Sequence, residues 1–241
     1  MPLVIHNGID WVCGKHTAMV LPVPVRSTSR YGQGLPEPRG APKLYRMIDT
    51  WMAQTHWLRA AQSRAAAMLF AAGMSANQAT AAAAILGGLA GLAFGGGFDT
   101  AGLMLLWLGA ALDALDGTIA REHGGPTALG GVLDLAADRW VEAAALLGLA
   151  WHRPALEFAA LTVIATWYIN ITVFLALGAA LGAGEKLILY PPGLVERTEA
   201  FLFLTLLVFM GGAGVYLCYA YAAAEIWTAI QRLDFARRSL R

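Results

Sequence analysis

Long apolar runs separated by short polar stretches dominate the chain from about residue 77 to residue 233. A helix that crosses a lipid bilayer needs about 20 residues, and the runs approach that length. The pattern predicts an all-α, polytopic membrane protein with six transmembrane helices. The last two runs are tightly joined around Gly211, Gly212 and Gly214. The predicted spans are residues 77–97, 101–121, 130–151, 154–182, 199–217 and 218–233.

A mixed, helical pattern precedes these spans, from about residue 44 to residue 73. Its apolar positions follow i, i+3, i+4 spacing, and the polar residues lie off that stripe. This is typical of an amphipathic helix in the membrane interface. A soluble amphipathic helix packed against the body is the alternative. The stripe consists of Leu44, Met47, Ile48, Trp51, Met52, Thr55 and Leu58.

The first 43 residues are rich in proline and lack the basic-then-apolar pattern of a secretory signal. Proline at that density opposes helix formation, so a poorly ordered leader is expected there. We therefore expect a leader at 1–43, a juxtamembrane helix at 44–73, a catalytic membrane domain at 74–235 and a basic cytoplasmic tail at 236–241.

The composition agrees with a membrane protein. Hydrophobic residues make up 58% of the chain and charged residues 14%, against about 25% charged in an average soluble domain. The net charge of +1 gives no indication of nucleic-acid binding. Cys13 and Cys218 form neither a disulfide framework nor a zinc-ligand pattern.

Basic residues are unevenly distributed between the loops. They concentrate before the first span, in alternate loops and after the last span, whereas the opposite loops contain only Arg153. The positive-inside rule therefore predicts that both termini and the loop at 122–129 are cytoplasmic. The expected location is the inner membrane of a bacterial or archaeal cell.

Four aspartates lie in or beside the second and third predicted spans: Asp113, Asp116, Asp134 and Asp138. A charged residue within a span costs about 2.5–3.5 kcal/mol on insertion scales, so these are candidate functional residues. Clustered carboxylates repel one another unless they are protonated or bind cations. Oxygen ligands favour Mg²⁺, Mn²⁺ or Ca²⁺ over zinc.

The spacing of the aspartates predicts one shared site. Asp113 and Asp116 share a helix face with three more residues, Gly117, Ala120 and Arg121. On the next helix, Gly130, Asp134 and Asp138 follow one another at intervals of four. The loop between these helices is short, so they are antiparallel neighbours whose acidic faces meet. Small residues leave room for a ligand, and an arginine can donate two hydrogen bonds to a phosphate.

The full pattern from Asp113 to Asp138 reads D-x2-D-G-x2-A-R-x8-G-x3-D-x3-D. It resembles the signature of the CDP-alcohol phosphotransferases, with every fixed position present. The resemblance implies that Asp113, Asp116 and Asp134 are metal ligands. It implies that Asp138 is the general base and also touches a second Mg²⁺ or Mn²⁺ ion. It further implies that the cytidine diphosphate part of the donor is held by Asp116, Gly117, Ala120, Arg121 and Gly130.

Four further residues are candidates for substrate binding. The stretch from Met74 to Thr80 resembles the Pro-Asn-x-x-Thr start of the family's first span, which makes Asn77 a candidate for nucleotide binding, although Ala76 replaces the usual proline. Helix capping by Ser75 or Asn77 is the alternative. The candidates for acceptor binding are Arg139, Lys186 and Arg197, each of which could instead follow the positive-inside rule.

The resemblance implies transfer of a phosphatidyl group from a CDP-linked lipid to an acceptor alcohol, with release of CMP. Basic residues near the site favour a phosphorylated acceptor such as glycerol 3-phosphate or inositol phosphate. The expected partners are the donor lipid, a small polar alcohol, membrane lipids and a second copy of the chain. A divalent-cation transporter or channel is the alternative, since carboxylates also line ion paths, and Glu142 and Glu225 keep it open. An inactive scaffold is a third reading.

Overall fold

The structure is a computed structural model. Seven α-helices make up almost all of the residues that it describes. It describes residues 56–180 and 197–239, all within the unit formed by residues 42–241. No β-strand occurs in these ranges, in agreement with the all-α prediction. The helices are α1 His56–Ala71, α2 Ala76–Gly95, α3 Asp99–Ile119, α4 Ala128–His152, α5 Glu157–Ala180, α6 Arg197–Phe209 and α7 Gly214–Ser239.

Short helical turns lie between some of these helices. A π-helical turn, Ala120–Gly124, follows α3, and 3₁₀ turns lie at Pro154–Leu156 and Gly211–Ala213. The predicted leader and most of the stripe at residues 44–58 lie outside the described residues. Helix α1 covers the second half of the predicted juxtamembrane helix, whose amphipathic character remains a prediction.

Helix α2 begins at a capping box. The side chain of Ser75 accepts a hydrogen bond from the backbone of Gln78, and the Gln78 side chain accepts one from the backbone of Ser75. Both bonds satisfy backbone donors that a helix start leaves unpaired. Ser75 is therefore the cap residue of this helix, and Asn77 lies within its first turn.

Glycines allow α2 and α4 to pack closely. A Cβ atom built at Gly148 would lie 2.0 Å from the backbone oxygen of Gly91, and one built at Gly91 would lie 2.4 Å from the backbone oxygen of Ala144. Such small-residue contacts are the usual way for helices to approach within lipid. This contact matters to the site because α2 and α4 both contribute to it.

We expect Gly148→Ala to destabilise the fold. The added methyl group meets backbone rather than a movable side chain, so the two helices must separate at a cost of about 1–3 kcal/mol or more. The midpoint of thermal unfolding in detergent should fall accordingly. Gly178→Ala is the matched control, because a Cβ atom added at Gly178 would meet nothing within 4 Å. Equal midpoints for the two variants would contradict the close-packing argument.

The apolar core contains residues from each of the helices α2 through α7. Its fully buried side chains include Phe94, Leu106, Leu146, Leu149 and Leu204. A smaller cluster of Ala66, Ala79 and Ile119 attaches α1 to α2 and α3. Helix α2 packs against α3 and α4, while α5 packs against α7.

Large apolar side chains also cover the outer surface. Leu92 is 74% exposed, Phe158 73% and Tyr216 78%. Outward-facing residues of this kind, spread over several helices, are expected where lipid rather than water surrounds a protein. The outer surface is therefore that of an integral membrane protein.

Within the described residues, three helical segments are long and apolar enough to cross a membrane: Ala76–Gly95, Asp99–Gly124 and Pro154–Ala180. Helix α4 is long, but its four charged residues between 134 and 142 lower its hydropathy. The described part of α6 has 13 residues, and α7 carries several charges toward its end. Six spans remain a prediction.

The predicted boundary between the last two spans, at residues 217 and 218, is wrong. Helix α6 ends at Phe209 and α7 runs unbroken from Gly214 through both positions. The break lies at the glycines, where Gly211 adopts a positive φ of 50°. An apolar run shows no break in hydropathy, and backbone conformation determines where the helix ends.

Candidate active site

The site begins at the end of α3, where Asp113 and Asp116 lie one turn apart. Both are buried, with 5% and 7% of their surface exposed. Their i, i+3 spacing points both side chains to the same side of the helix. The helix thus presents two carboxylates on one face, as the sequence predicts.

Helix α4 supplies the other two aspartates. Its start is capped by Thr127, whose hydroxyl accepts a hydrogen bond of 3.0 Å from the backbone N–H of Gly130. Asp134 and Asp138 follow one turn apart, and both are half-buried. The antiparallel arrangement of α3 and α4 therefore brings the predicted acidic faces together.

Three of the four aspartates form a compact oxygen cluster. Carboxylate oxygens of Asp113, Asp116 and Asp134 all lie within 4.8 Å of one another. Such a set of hard oxygen donors fits Mg²⁺ or Mn²⁺, which also keep several water ligands. Within the two described ranges, this is the one group of three acidic, histidine or cysteine side chains close enough to hold an ion.

Arg197, the first residue of α6, bridges the two acidic helices. Its Nη1 atom pairs with Oδ2 of Asp113, and its Nη2 atom lies 2.9 Å from Oδ1 of Asp138. About a third of the Arg197 side chain is exposed. A guanidinium fork suits two carboxylates or a phosphate equally well. Of the two predicted acceptor-binding residues that the structure describes, Arg139 and Arg197, it is Arg197 that pairs with the aspartates.

Thr80 on α2 is a site residue that the sequence analysis did not single out. Its hydroxyl donates a hydrogen bond to Oδ2 of Asp116 and also approaches the backbone oxygen of Ala76. Thr80 is buried, with 5% of its surface exposed. In the sequence, Thr80 could have been identified by its hydroxyl, which stands one turn into an alanine-rich helix. It is the last residue of the stretch that resembles the start of the first span in the family.

We expect Thr80→Val to weaken Mn²⁺ binding about 10-fold, because hydrogen-bond partners of metal ligands typically contribute that much. The change keeps the shape of the side chain and removes the bond that orients Asp116. Titration of the purified protein with Mn²⁺ measures it. Thr162→Val is the control, since Thr162 makes the same kind of backbone contact on the exposed side of α5. Unchanged Mn²⁺ affinity in the Thr80 variant would refute this orienting role.

The two predicted glycines lie at close approaches. A Cβ at Gly130 would be 3.0 Å from the Thr127 hydroxyl and 3.3 Å from Oδ1 of Asn77, so Asn77 faces the start of α4. A Cβ at Gly117 would be 3.1 Å from the Nη1 atom of Arg121. Gly117 thus lies against Arg121 and Gly130 against Asn77, and Ala120 begins the π-helical turn that contains Arg121.

Arg121 folds back along α3. Its Nη2 atom donates a hydrogen bond of 3.1 Å to the hydroxyl of Thr118, which is buried. The guanidinium therefore lies over Gly117, the residue without a side chain on the acidic face. In this position it is available to an anion that approaches the cluster.

Arg139, the second residue predicted to bind the acceptor, is paired with Glu142. Its Nη1 atom lies 2.6 Å from Oε2 of Glu142, and its Nη2 atom donates a hydrogen bond of 2.9 Å to Oε1. Glu142 is almost fully buried, at 1% exposure. Arg139 therefore pairs with Glu142 rather than with its chain neighbour Asp138. Lys186 lies outside the described residues.

A second polar group connects α5 and α7. The Nδ2 atom of Asn170 donates a hydrogen bond to Glu225, and Arg232 donates one of 2.6 Å to Oδ1 of Asn170. Asn170 and Glu225 are buried, with 6% and 4% of their surface exposed. Asn170 and Arg232 were not predicted as partners, because they lie on separate helices, 62 positions apart in the sequence.

Comparison with known proteins identifies what this arrangement resembles. The family model described as CDP-alcohol phosphatidyltransferase matches residues 73–230, more than half of the chain. A phosphatidylinositol phosphate synthase of Mycobacteroides abscessus is 33% identical over 57% of this chain and 66% of its own length. The synthase of the same name from Corynebacterium glutamicum is 30% identical over 56% of this chain and 65% of its own length. The matches therefore span slightly less than two thirds of these relatives.

Solved structures give a consistent result. The crystal structure of Mycobacterium tuberculosis phosphatidylinositol phosphate synthase with CDP-DAG bound has a TM-score of 0.60 and 25% identity. The similarity covers 73% of this chain and 92% of that one. The complex of the same synthase with manganese and citrate also has a TM-score of 0.60, with 26% identity over 73% of this chain and 88% of that one.

Proposed function

This chain belongs to the CDP-alcohol phosphatidyltransferase family, and from that premise we propose that it transfers a phosphatidyl group from a CDP-linked lipid to an inositol phosphate and releases CMP. One observation supports this most strongly. Carboxylate oxygens of Asp113, Asp116 and Asp134 cluster, and Arg197 pairs with both Asp113 and Asp138.

For the metal site, we propose that Asp113, Asp116 and Asp134 hold a divalent ion, and that Asp138 contributes to a second one. A related synthase has been crystallised with manganese, and carboxylate oxygens suit both Mn²⁺ and Mg²⁺. When bound, such ions would supply positive charge that neutralises a diphosphate and stabilises the charge that develops on the departing CMP. Thr80 keeps the carboxylate of Asp116 oriented toward the cluster.

For the donor, we propose that the cytidine diphosphate part binds over Gly117 and Ala120, with Arg121 on its phosphates. CDP-DAG is bound in one of the similar structures, which supports a CDP-linked lipid here. The close approaches at Gly117 and Gly130 place the side chains of Arg121 and Asn77 against these two glycines, where both could contact such a ligand. A guanidinium suits this place because it can donate two parallel bonds to phosphate oxygens.

For the chemical step, Asp138 is proposed as the general base. It removes the proton of the acceptor hydroxyl, whose oxygen attacks the β-phosphorus, the one that carries the lipid. The new phosphorus–oxygen bond forms as the bond to the bridging oxygen breaks, and CMP leaves with that electron pair. The lipid phosphate is then a phosphodiester. Asp138 suits the role of base because its carboxylate lies beside the cluster and one oxygen faces Arg197.

For the acceptor, we propose that Arg197 binds its phosphate group. Both similar curated proteins are named phosphatidylinositol phosphate synthases, which favours inositol phosphate over glycerol 3-phosphate. Arg197 lies next to the proposed base, so a phosphate held there brings the acceptor hydroxyl to Asp138. Arg139 is paired with Glu142, which makes it the weaker candidate, and Lys186 remains a prediction.

For the membrane, we propose six spans with the site and both termini on the cytoplasmic side of the inner membrane. The described site residues come from the start of α2, the end of α3, the first half of α4 and the start of α6, and the positive-inside rule assigns the neighbouring loop at 122–129 to the cytoplasm. A homodimer is also proposed, as the resemblance to the family suggests.

The transporter alternative has less support. A transport path requires polar groups that remain accessible along the depth of the bilayer. Glu142 and Glu225, which raised this possibility, are buried and bonded to Arg139 and Asn170 respectively. Their partners satisfy them within the protein, as buried charges require.

The test is a panel assay of the purified chain in lipid nanodiscs. CDP-diacylglycerol, Mg²⁺ or Mn²⁺, and one acceptor at a time are supplied, and CMP release is measured. We expect release with inositol phosphate and none after chelation of the metal. Release with glycerol 3-phosphate or serine alone would overturn the acceptor and retain the reaction class. No release with any acceptor would overturn the class.

A further inference from the structure

The turn that carries Arg121 is unusual in its geometry. Residues Ala120–Gly124 form a π-helical turn at the end of α3. A π-helical turn is wider than an α-helical turn and is found mostly as a single turn, frequently at functional sites. Because it shifts the register of the side chains, it determines where the Arg121 side chain starts.

Helix α1 contacts this turn at two points. The hydroxyl of Ser63 donates a hydrogen bond of 2.6 Å to Oε1 of Glu122. The ring of Phe70 stacks on His123, with centroids 4.5 Å apart and planes 6° from parallel. Ser63 and Phe70 are two turns apart on one face of α1. Buried Ala66 lies between them on the same face and packs near Ala79 and Ile119.

These two contacts are too exposed to contribute much to the stability of the fold. Ser63 is half-buried, and Phe70, Glu122 and His123 are exposed. Exposed polar pairs and exposed stacks contribute little to global stability. What they do restrain is the backbone on the C-terminal side of Arg121, while Thr118 holds its guanidinium.

We propose that Ser63, Phe70, Glu122 and His123 form a clasp that positions Arg121 for the diphosphate of the nucleotide donor. All four are positioning residues, since each acts through the turn, and none belongs to the family signature. The inference rests on the proposed function, because the donor is the ligand that Arg121 is positioned to meet. It extends that function by assigning α1 a part in donor binding.

The experiment measures CDP binding by calorimetry in saturating Mn²⁺ for the full chain in detergent. His123→Ala and Phe70→Ala should each weaken CDP binding about two-fold to ten-fold, the range expected for loss of one aromatic stack. The variant that combines Phe70→Ala and His123→Ala should have the same CDP affinity as the single variant that binds CDP less tightly, because each substitution removes the same contact. His123→Phe should restore binding, since it keeps the stacked ring.

Two further readouts separate positioning from packing. Mn²⁺ affinity without nucleotide and the thermal midpoint should stay as in the wild type. In turnover assays, KM for the CDP-linked lipid should rise while kcat changes less. Met68→Ala is the matched control, because Met68 lies on α1 with 71% of its surface exposed, and it should bind CDP normally.

The outcomes are distinguishable. CDP affinity that is equal in the wild type and in both single variants would overturn the clasp and leave the proposed function standing. If CDP affinity, Mn²⁺ affinity and the thermal midpoint all fall together and His123→Phe does not restore them, these residues contribute only to packing and the clasp is overturned. A wild-type chain that binds no CDP in Mn²⁺ would overturn both the proposed function and the role of the clasp.

Discussion

Replacing Asp138 with Asn should lower kcat about 100-fold to 10,000-fold, the usual contribution of a positioned general base. Asn has nearly the same shape and keeps an oxygen that Arg197 can pair with, so the side chains around it need not move. What it loses is the ability to take the proton of the acceptor hydroxyl. The loss should therefore appear mainly in kcat, while the affinity for CDP in saturating Mn²⁺ should fall less, because Asp113, Asp116 and Asp134 remain to hold an ion.

The measurement is steady-state CMP release at saturating donor and acceptor, with calorimetric CDP binding on the same preparation. Asp234→Asn is the control, because Asp234 forms an exposed ion pair with Arg238 on α7 and lies outside the aspartate cluster. That variant should keep its activity. A kcat of the Asp138 variant within about ten-fold of the wild type would exclude Asp138 as the base.

Replacing Arg197 with Gln should raise KM for the phosphorylated acceptor by about 10-fold to 100-fold. Hydrogen bonds to charged groups contribute about 1.5–3 kcal/mol each, so the loss of one such bond accounts for this increase. KM for the CDP-linked lipid should change much less, because Arg121 rather than Arg197 is proposed to meet the donor. Arg197→Lys should recover only part of the loss, since an ammonium group lacks the planar fork.

The comparison of acceptors makes this prediction specific. If Arg197 binds the acceptor phosphate, the variant should lose its preference for inositol phosphate over inositol. Arg238→Gln is the control, since Arg238 is an exposed arginine in an i, i+4 pair at the end of α7. If the KM values for inositol phosphate and for inositol rise equally, or if neither rises, Arg197 serves only to hold Asp113 and Asp138 together.

Much of the site could be predicted because its spacing is local. Asp113 and Asp116 are one helical turn apart, and so are Asp134 and Asp138, so a regular helix places each pair on one face. The eight residues between Arg121 and Gly130 form a short connection, which keeps the adjoining ends of the two helices near each other. The meeting of the two acidic faces follows from these two facts, and the structure has it.

Contacts between distant segments were less predictable. Arg197 was one of three basic candidates, and nothing in its own surroundings indicated that it bridges Asp113 and Asp138. Thr80 is separated from Asp116 by 36 residues, and Phe70 meets His123 across the end of α3. Such pairs depend on helix packing, in which side chains from separate helices meet at positions that no periodicity specifies.

The break between α6 and α7 illustrates the same limit within one apolar run. Hydropathy is nearly uniform around residues 209–218, so a division by length placed the boundary inside a helix. The glycines were visible, but their backbone conformation was not, and the positive φ of Gly211 ends the run there.

The sequence by itself therefore determined the all-helical membrane character, the two acidic helix faces and the reaction class that their signature resembles. These depend on composition and on spacing along one helix, which short-range geometry converts directly into position. The tertiary structure alone decided which residues surround the four aspartates: Thr80 on Asp116, Arg197 between Asp113 and Asp138, and α1 on the turn of Arg121. Those contacts depend on how closely whole helices approach, and glycines such as Gly91 and Gly148 allow that approach by removing side chains from the contact.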